Sequence, residues 1–65
     1  MRILLSHVRT SKGFSIAELS RRSGISVSRI FYIENGMRTP TITVLCKLAR
    51  ALNVKPEDLY SCDDN

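Results

Sequence analysis

Side chains that ordinarily carry chemistry are few in this chain, and their spacing excludes most of what they can do. His7 is the only histidine, and no serine or cysteine stands at a recognisable nucleophile spacing from it. Cys46 and Cys62 are too few for a disulfide scaffold and are not spaced as a zinc site, so both read as reduced thiols. Cys46 falls inside a helical pattern, where a free thiol behaves as a small hydrophobe. No phosphate-cradling glycine loop or carboxylate pair can be argued, and 65 residues leave little room for a cavity. Catalysis, a cofactor and a small-molecule ligand are therefore not expected.

Charge is more informative. Ten Lys and Arg against six Asp and Glu give a net of +4, but Glu57, Asp58, Asp63 and Asp64 place four of the acids at the C-terminal end. Residues 1–55 thus carry ten basic and two acidic side chains, 10 − 2 = +8. A basic body with an acidic tail suits a polyanionic partner, of which nucleic acid is the commonest. No apolar run approaches the roughly 20 residues needed to span a bilayer, and no signal peptide is visible. A cytoplasmic protein without membrane contact is expected.

The elements that would position these groups follow from periodicity. Ile16–Gly36 reads as two short helices hinged at Gly24, with Leu19 on the inner face of the first and Ile30 and Ile33 at i, i+3 in the second. Gly24 falls where a tight interhelical turn demands φ > 0, and Ser26 is placed to cap the next helix. Before this unit, residues 2–12 form a first helix with Leu5 and Val8, together with Met1 and Ile3 or Leu4, on its stripe, closed by Gly13. Phe14 then enters the core, and Ser15 with Glu18 fits a capping box opening the second helix. The third helix ends at Asn35-Gly36, a basic loop of residues 37–40 follows, and Thr41 caps a fourth helix over 42–52. Ile42, Leu45, Leu48, Ala49 and Leu52 share its inner face, and Pro56 opens a fifth short helical turn through Tyr60. No strand pattern persists. The expected fold is all-α with five helices, residues 1–60 forming one domain and residues 61–65 a flexible acidic tail.

GFSIAELSRRSGIS, RIFYIENGMRTP and LCKLARALNV followed by PEDLY, in that order, resemble the phage repressor and Cro-type helix-turn-helix family, also called the Xre family. The resemblance covers roughly residues 4–60. It implies a compact lambda-repressor-like five-helix domain that binds operator DNA, usually as a two-fold dimer on a pseudo-palindrome. It places the recognition helix at about 26–34, with its N-terminal residues at base edges in the major groove. The base-reading positions it implies are Val27, Ser28, Arg29 and Tyr32. Val27 suits a thymine methyl, Ser28 discriminates weakly, and Arg29 can take guanine O6 and N7 or a phosphate. Tyr32 can use its hydroxyl or lie on a sugar.

The resemblance also implies phosphate contacts from Ser15, Asn35, Arg38 and Thr41, and a structural salt bridge between Arg9 and Glu34. Its dimer surface lies around Val54, Pro56, Leu59 and Tyr60. Departures are visible: Ile16 stands where many relatives carry a phosphate-touching glutamine, and Ser20 and Ser23 replace usual apolar residues. Arg21 and Arg22 can serve the DNA backbone or merely solvate a face, and Phe31 reads as a partly buried packing residue. Without a sensor domain after the last helix, control is expected through protein level or a partner. The competing reading is a protein-interaction module of the same fold, using the Phe31–Tyr32 face or a Leu59–Tyr60 patch.

Overall fold

The computed structural model describes residues 1–62, in the order β1 (Arg2–Ile3), α1 (Leu5–Ser11), α2 (Ile16–Ser23), α3 (Val27–Glu34), α4 (Ile42–Leu52), a 3-10 turn (Pro56–Leu59) and β2 (Tyr60–Ser61). There are four α-helices among the described residues, not the five expected from the sequence. The segment at Pro56 starts as predicted, with proline at its first position and the Lys55 N–H donating to Asp58 Oδ2 at 3.0 Å. It closes after one tight 3-10 turn because Tyr60 is already extended.

That extension corrects a second expectation. Residues 2 and 3 do not start the first helix but pair antiparallel with β2, Arg2 opposite Ser61 and Ile3 opposite Tyr60. The Leu4 N–H also donates to the Leu59 carbonyl at 2.8 Å. The ladder satisfies backbone groups at both ends of the domain that neither helix could reach. Ser61, expected to begin the flexible tail, is paired here. Residues 63–65, the remainder of that tail, lie outside the described residues.

Three of the four helix starts are explained by a hydroxyl, the exception being α1, which follows Leu4 without a side-chain cap. Ser15 Oγ accepts the Glu18 N–H at 3.0 Å, Ser26 Oγ the Arg29 N–H at 3.1 Å, and Thr41 Oγ1 the Val44 N–H at 3.2 Å. Only half of the anticipated capping box forms, since the Glu18 carboxylate turns instead to Arg21 and Arg22. The ends are equally local: Gly24 closes α2 at φ 78° and Asn53 closes α4 in the same left-handed region. No atom lies within 4 Å of a Cβ built on Gly24, so a side chain there meets backbone strain rather than a clash. Gly24→Val should therefore cost about 1–3 kcal/mol in urea unfolding, with Gly24→Asn costing much less. Wild-type stability in the valine variant would show that the turn does not require this conformation.

The core is built from one face of every helix. Leu5, Leu19, Ile30, Ile33, Leu48, Leu52 and Leu59 are fully buried and come from all four helices and the 3-10 turn. Ile25 and Val44 join them, while Phe14, Ile16 and Val54 cover the margins. Ile42 departs from its expected place and is 71% exposed. It shares the stripe of Leu45 and Leu48 but occupies the first turn, where side chains lean toward the N-terminus and past the edge of the core. Cys46, also expected among apolar neighbours, is an exposed free thiol, as is Cys62. Among the described residues no helix is long and apolar enough to cross a membrane, and no group of His, Cys, Asp and Glu is placed to hold a metal.

Candidate nucleic-acid interface

The second helix of the pair, α3, is held by three devices. The Gly24 turn sets its angle to α2, Ile30 and Ile33 bury its inner face, and an ion pair fixes its far end. In that pair Arg9 Nε donates to Glu34 Oε2 at 2.7 Å and Arg9 Nη2 to Oε1 at 3.1 Å, a bidentate fork. Arg9 Nη1 also donates to the Phe14 carbonyl at 2.8 Å. With the side chains only 14% and 6% exposed, the pair is shielded from solvent. The structure thus joins the two residues expected to form a salt bridge and ties α1 to the last residue of α3.

What α3 turns outward is the complement of its buried face. Val27, Ser28, Arg29 and Tyr32 are all exposed. Ser28 and Tyr32 lie one turn apart on one stripe. An open cleft of about 320 Å³ brings Ser28, Arg29 and Tyr32 together with Ser26 and Arg38. Arg38 comes from the loop after α3, so this cleft unites an expected phosphate contact with three of the four expected base readers. A neighbouring hollow of about 340 Å³ is lined by Tyr32, Met37 and Arg38. Met37 and Phe31 were not among the expected contacts, yet both are exposed here. Phe31, expected as a partly buried packing residue, is 47% exposed, and its ring meets that of Tyr32 edge-on at 5.9 Å.

Electrostatics separates the arginines. Arg21 and Arg22 both engage Glu18, and the Arg22 guanidinium also stands 4.9 Å from the centre of the Phe14 ring. Hydrogen bonds from Arg22 first and Arg21 second hold the Glu18 carboxyl below its ordinary range. Glu18 is therefore ionised at neutral pH, and its favourable contacts are lost only as pH falls through that lowered value. By contrast, no carboxylate among the described residues pairs with Arg29 or Arg38. These two positive charges are available to an external anion.

The hydroxyls at the helix starts retain a donor. Ser15 and Thr41 each accept one backbone N–H, which leaves the O–H hydrogen free to donate. The first N–H groups of α2 and α4 point out of the same helix ends, a favourable setting for an anion. Asn35 Nδ2 donates to the Phe31 carbonyl at 2.8 Å, so part of its amide is spent closing α3. Ile16, in place of the family's glutamine, packs against the core. Another hollow, of about 530 Å³, is lined by Arg22, Ser23, Lys47, Arg50 and Ala51.

Residues 5–59 match the model of a helix-turn-helix family, HTH_3. This chain belongs to that helix-turn-helix family. The match takes in every α-helix described above, and the resemblance to phage repressor and Cro-type proteins is borne out. An uncharacterized HTH-type transcriptional regulator of Archaeoglobus fulgidus is 31% identical over 64 residues, covering 98% of this chain and 91% of that protein. The uncharacterized HTH-type transcriptional regulator y4dJ of Sinorhizobium fredii is 36% identical over 59 residues, covering 91% and 77%. Among solved structures, the restriction-modification controller protein C.AhdI from Aeromonas hydrophila superposes with a TM-score of 0.82 at 36% identity, covering 86% of this chain and 85% of that one. Helix-turn-helix architecture over nearly the whole chain is thus common to all of them.

Proposed function

We propose that this chain is a sequence-specific, double-stranded DNA-binding transcriptional regulator that lays α3 in the major groove and acts as a two-fold dimer on a pseudo-palindromic operator. The observation that carries the reading is the division of α3 by face. Ile30 and Ile33 are buried, while Ser28, Arg29 and Tyr32 converge with Arg38 on one open cleft. The transcriptional-regulator names of the relatives support the same role. An α-helix fits the B-DNA major groove, and side chains at its N-terminal end then reach base edges.

The division of labour follows from chemistry. Arg29 is the one side chain on this face that can bind a guanine edge through two hydrogen bonds, and Ser28 and Tyr32 supply hydroxyls beside it. Val27 leads the helix into the groove. Ser15, Thr41 and Asn35 donate to phosphates on either side, and Arg38 adds a full charge. Dimerisation uses the half-buried Val54, Pro56 and Tyr60. Leu59 is withdrawn from that surface, because it is fully buried in its own core.

Arg38→Ala separates positioning from reading. A phosphate contact carries no sequence information, so the variant should lose affinity for operator and random duplex alike. Two arginines disappear from a dimer, and the log-log salt slope should become shallower by about 1.8. An unchanged slope would remove Arg38 from the phosphate contacts.

A further inference from the structure

One aromatic side chain on α3 serves neither the core nor the hydrogen-bonding readers. Phe31 is 47% exposed, on the outward side of a helix whose inner face Ile30 and Ile33 already fill. Exposing so much of a phenyl ring in a domain this small forgoes burial that the core could have used. Val27, four residues earlier and therefore on the same stripe, is 48% exposed. The two make an apolar ridge running along α3 beside the polar stripe of Ser28 and Tyr32. The ring of Phe31 is not loose, since it meets Tyr32 edge-on with 65° between the planes.

We propose that Val27 and Phe31 together read thymine 5-methyl groups, making Phe31 a specificity-determining residue that adds to the hydrogen-bonding readers. This rests on α3 lying in the major groove, as proposed above. The occupant follows from the surroundings of the ridge. Arg29 and Arg38 carry unpaired charge on the same side of the domain, which suits a polyanion and disfavours a purely apolar partner. Within the major groove, the thymine C5-methyl is the apolar group that a base edge presents. The positions of Val27 and Phe31 are one helical turn, about 6 Å, apart along the axis, close to two base-pair steps of about 3.4 Å each. The methyl groups they touch should accordingly lie one or two base pairs apart in each half-site.

Deoxyuridine supplies the test, because it keeps every hydrogen-bonding edge of thymine and lacks only the methyl. An operator is first selected from random duplexes with the full chain, and its thymines are then replaced one at a time by deoxyuridine. The expected result is an affinity loss of about fourfold at one or two neighbouring positions of a half-site, the worth of one buried methyl at each. Phe31→Ala should bind thymine and deoxyuridine equally at one of those positions, Val27→Ala should do so at the other, and Phe31→Leu should retain part of the difference. Indifference of the wild-type chain to every replacement, with tight operator binding intact, would overturn the ridge while leaving the major-groove reading in place. A thymine preference that Phe31→Ala leaves unaltered would overturn the role of Phe31. Failure to select any duplex would bring down the reading beneath it, and the ridge with it.

Discussion

Affinity for the operator should fall about 150-fold when monovalent salt rises from about 50 to about 200 mM, with a log-log slope of about −3.6. The figure counts the two arginines of the α3 cleft, neither of which has a carboxylate partner among the described residues. Arg38 at the backbone and Arg29 in the groove between the phosphate strands bring two charges per protomer and four per dimer into the phosphate field, and each charge neutralised there releases about 0.9 counterion. Arg21 and Arg22 are left out of the sum because Glu18 already neutralises part of their charge and its lowered pKa keeps it ionised. Were they contacts as well, the slope would be roughly twice as steep. The measurement also judges the competing idea that the exposed aromatic pair docks on a protein. An apolar interface of that kind would barely respond to salt, and a flat titration by fluorescence anisotropy would favour it.

Glu34→Ala should be the most damaging single substitution away from the core. It leaves the Arg9 guanidinium shielded from water with only the Phe14 carbonyl as partner. Removing one member of a buried pair costs about 3–5 kcal/mol, and the retained carbonyl contact puts this case near the lower end. A domain of this size has only about 3–5 kcal/mol in total, so the variant should be largely unfolded at body temperature. Replacing both residues by methionine should recover much of the loss, because no uncompensated charge then remains. Urea melts of the single and double variants measure this directly. A loss below about 1 kcal/mol in Glu34→Ala would mean that solvent screens the pair as it does at an open surface. The link to function is positional: the pair ends α3 against α1, so its loss should loosen the helix that presents the readers.

Which features were legible in the sequence depends on how local their causes are. The hydroxyl caps at Ser15, Ser26 and Thr41 and the left-handed turn at Gly24 involve residues within three or four positions of one another. They can be read from spacing and all appear as expected. The buried stripe of α3 was equally plain, and the outward face followed as its complement. Long-range features were less visible. Pairing of Arg2–Ile3 with Tyr60–Ser61 joins the two ends of the domain through two residues each, too few for an alternating pattern to register. Ile42 shows the limit of periodicity from another side. The 3.6-residue repeat identifies a stripe but not where the core beneath it ends. Phe31 adjoins Ile30 in sequence, and the near-complete burial of Ile30 and Ile33 leaves its ring half-exposed on the outer side. The Arg9–Glu34 bridge was anticipated by resemblance alone, since 25 residues separate the partners and no local rule connects them.

Selection of binding sites from random duplexes measures whether the outward face of α3 reads DNA sequence. The wild-type chain should enrich a two-fold symmetric site whose half-sites are centred about one helical turn, 10–10.5 base pairs, apart. Tyr32→Ala should enrich the same phosphate spacing with one base position relaxed, at a cost of about 1–3 kcal/mol on the wild-type site. A pool that remains random after repeated selection, or an identical site recovered by the Tyr32→Ala variant, would show that this face does not read sequence.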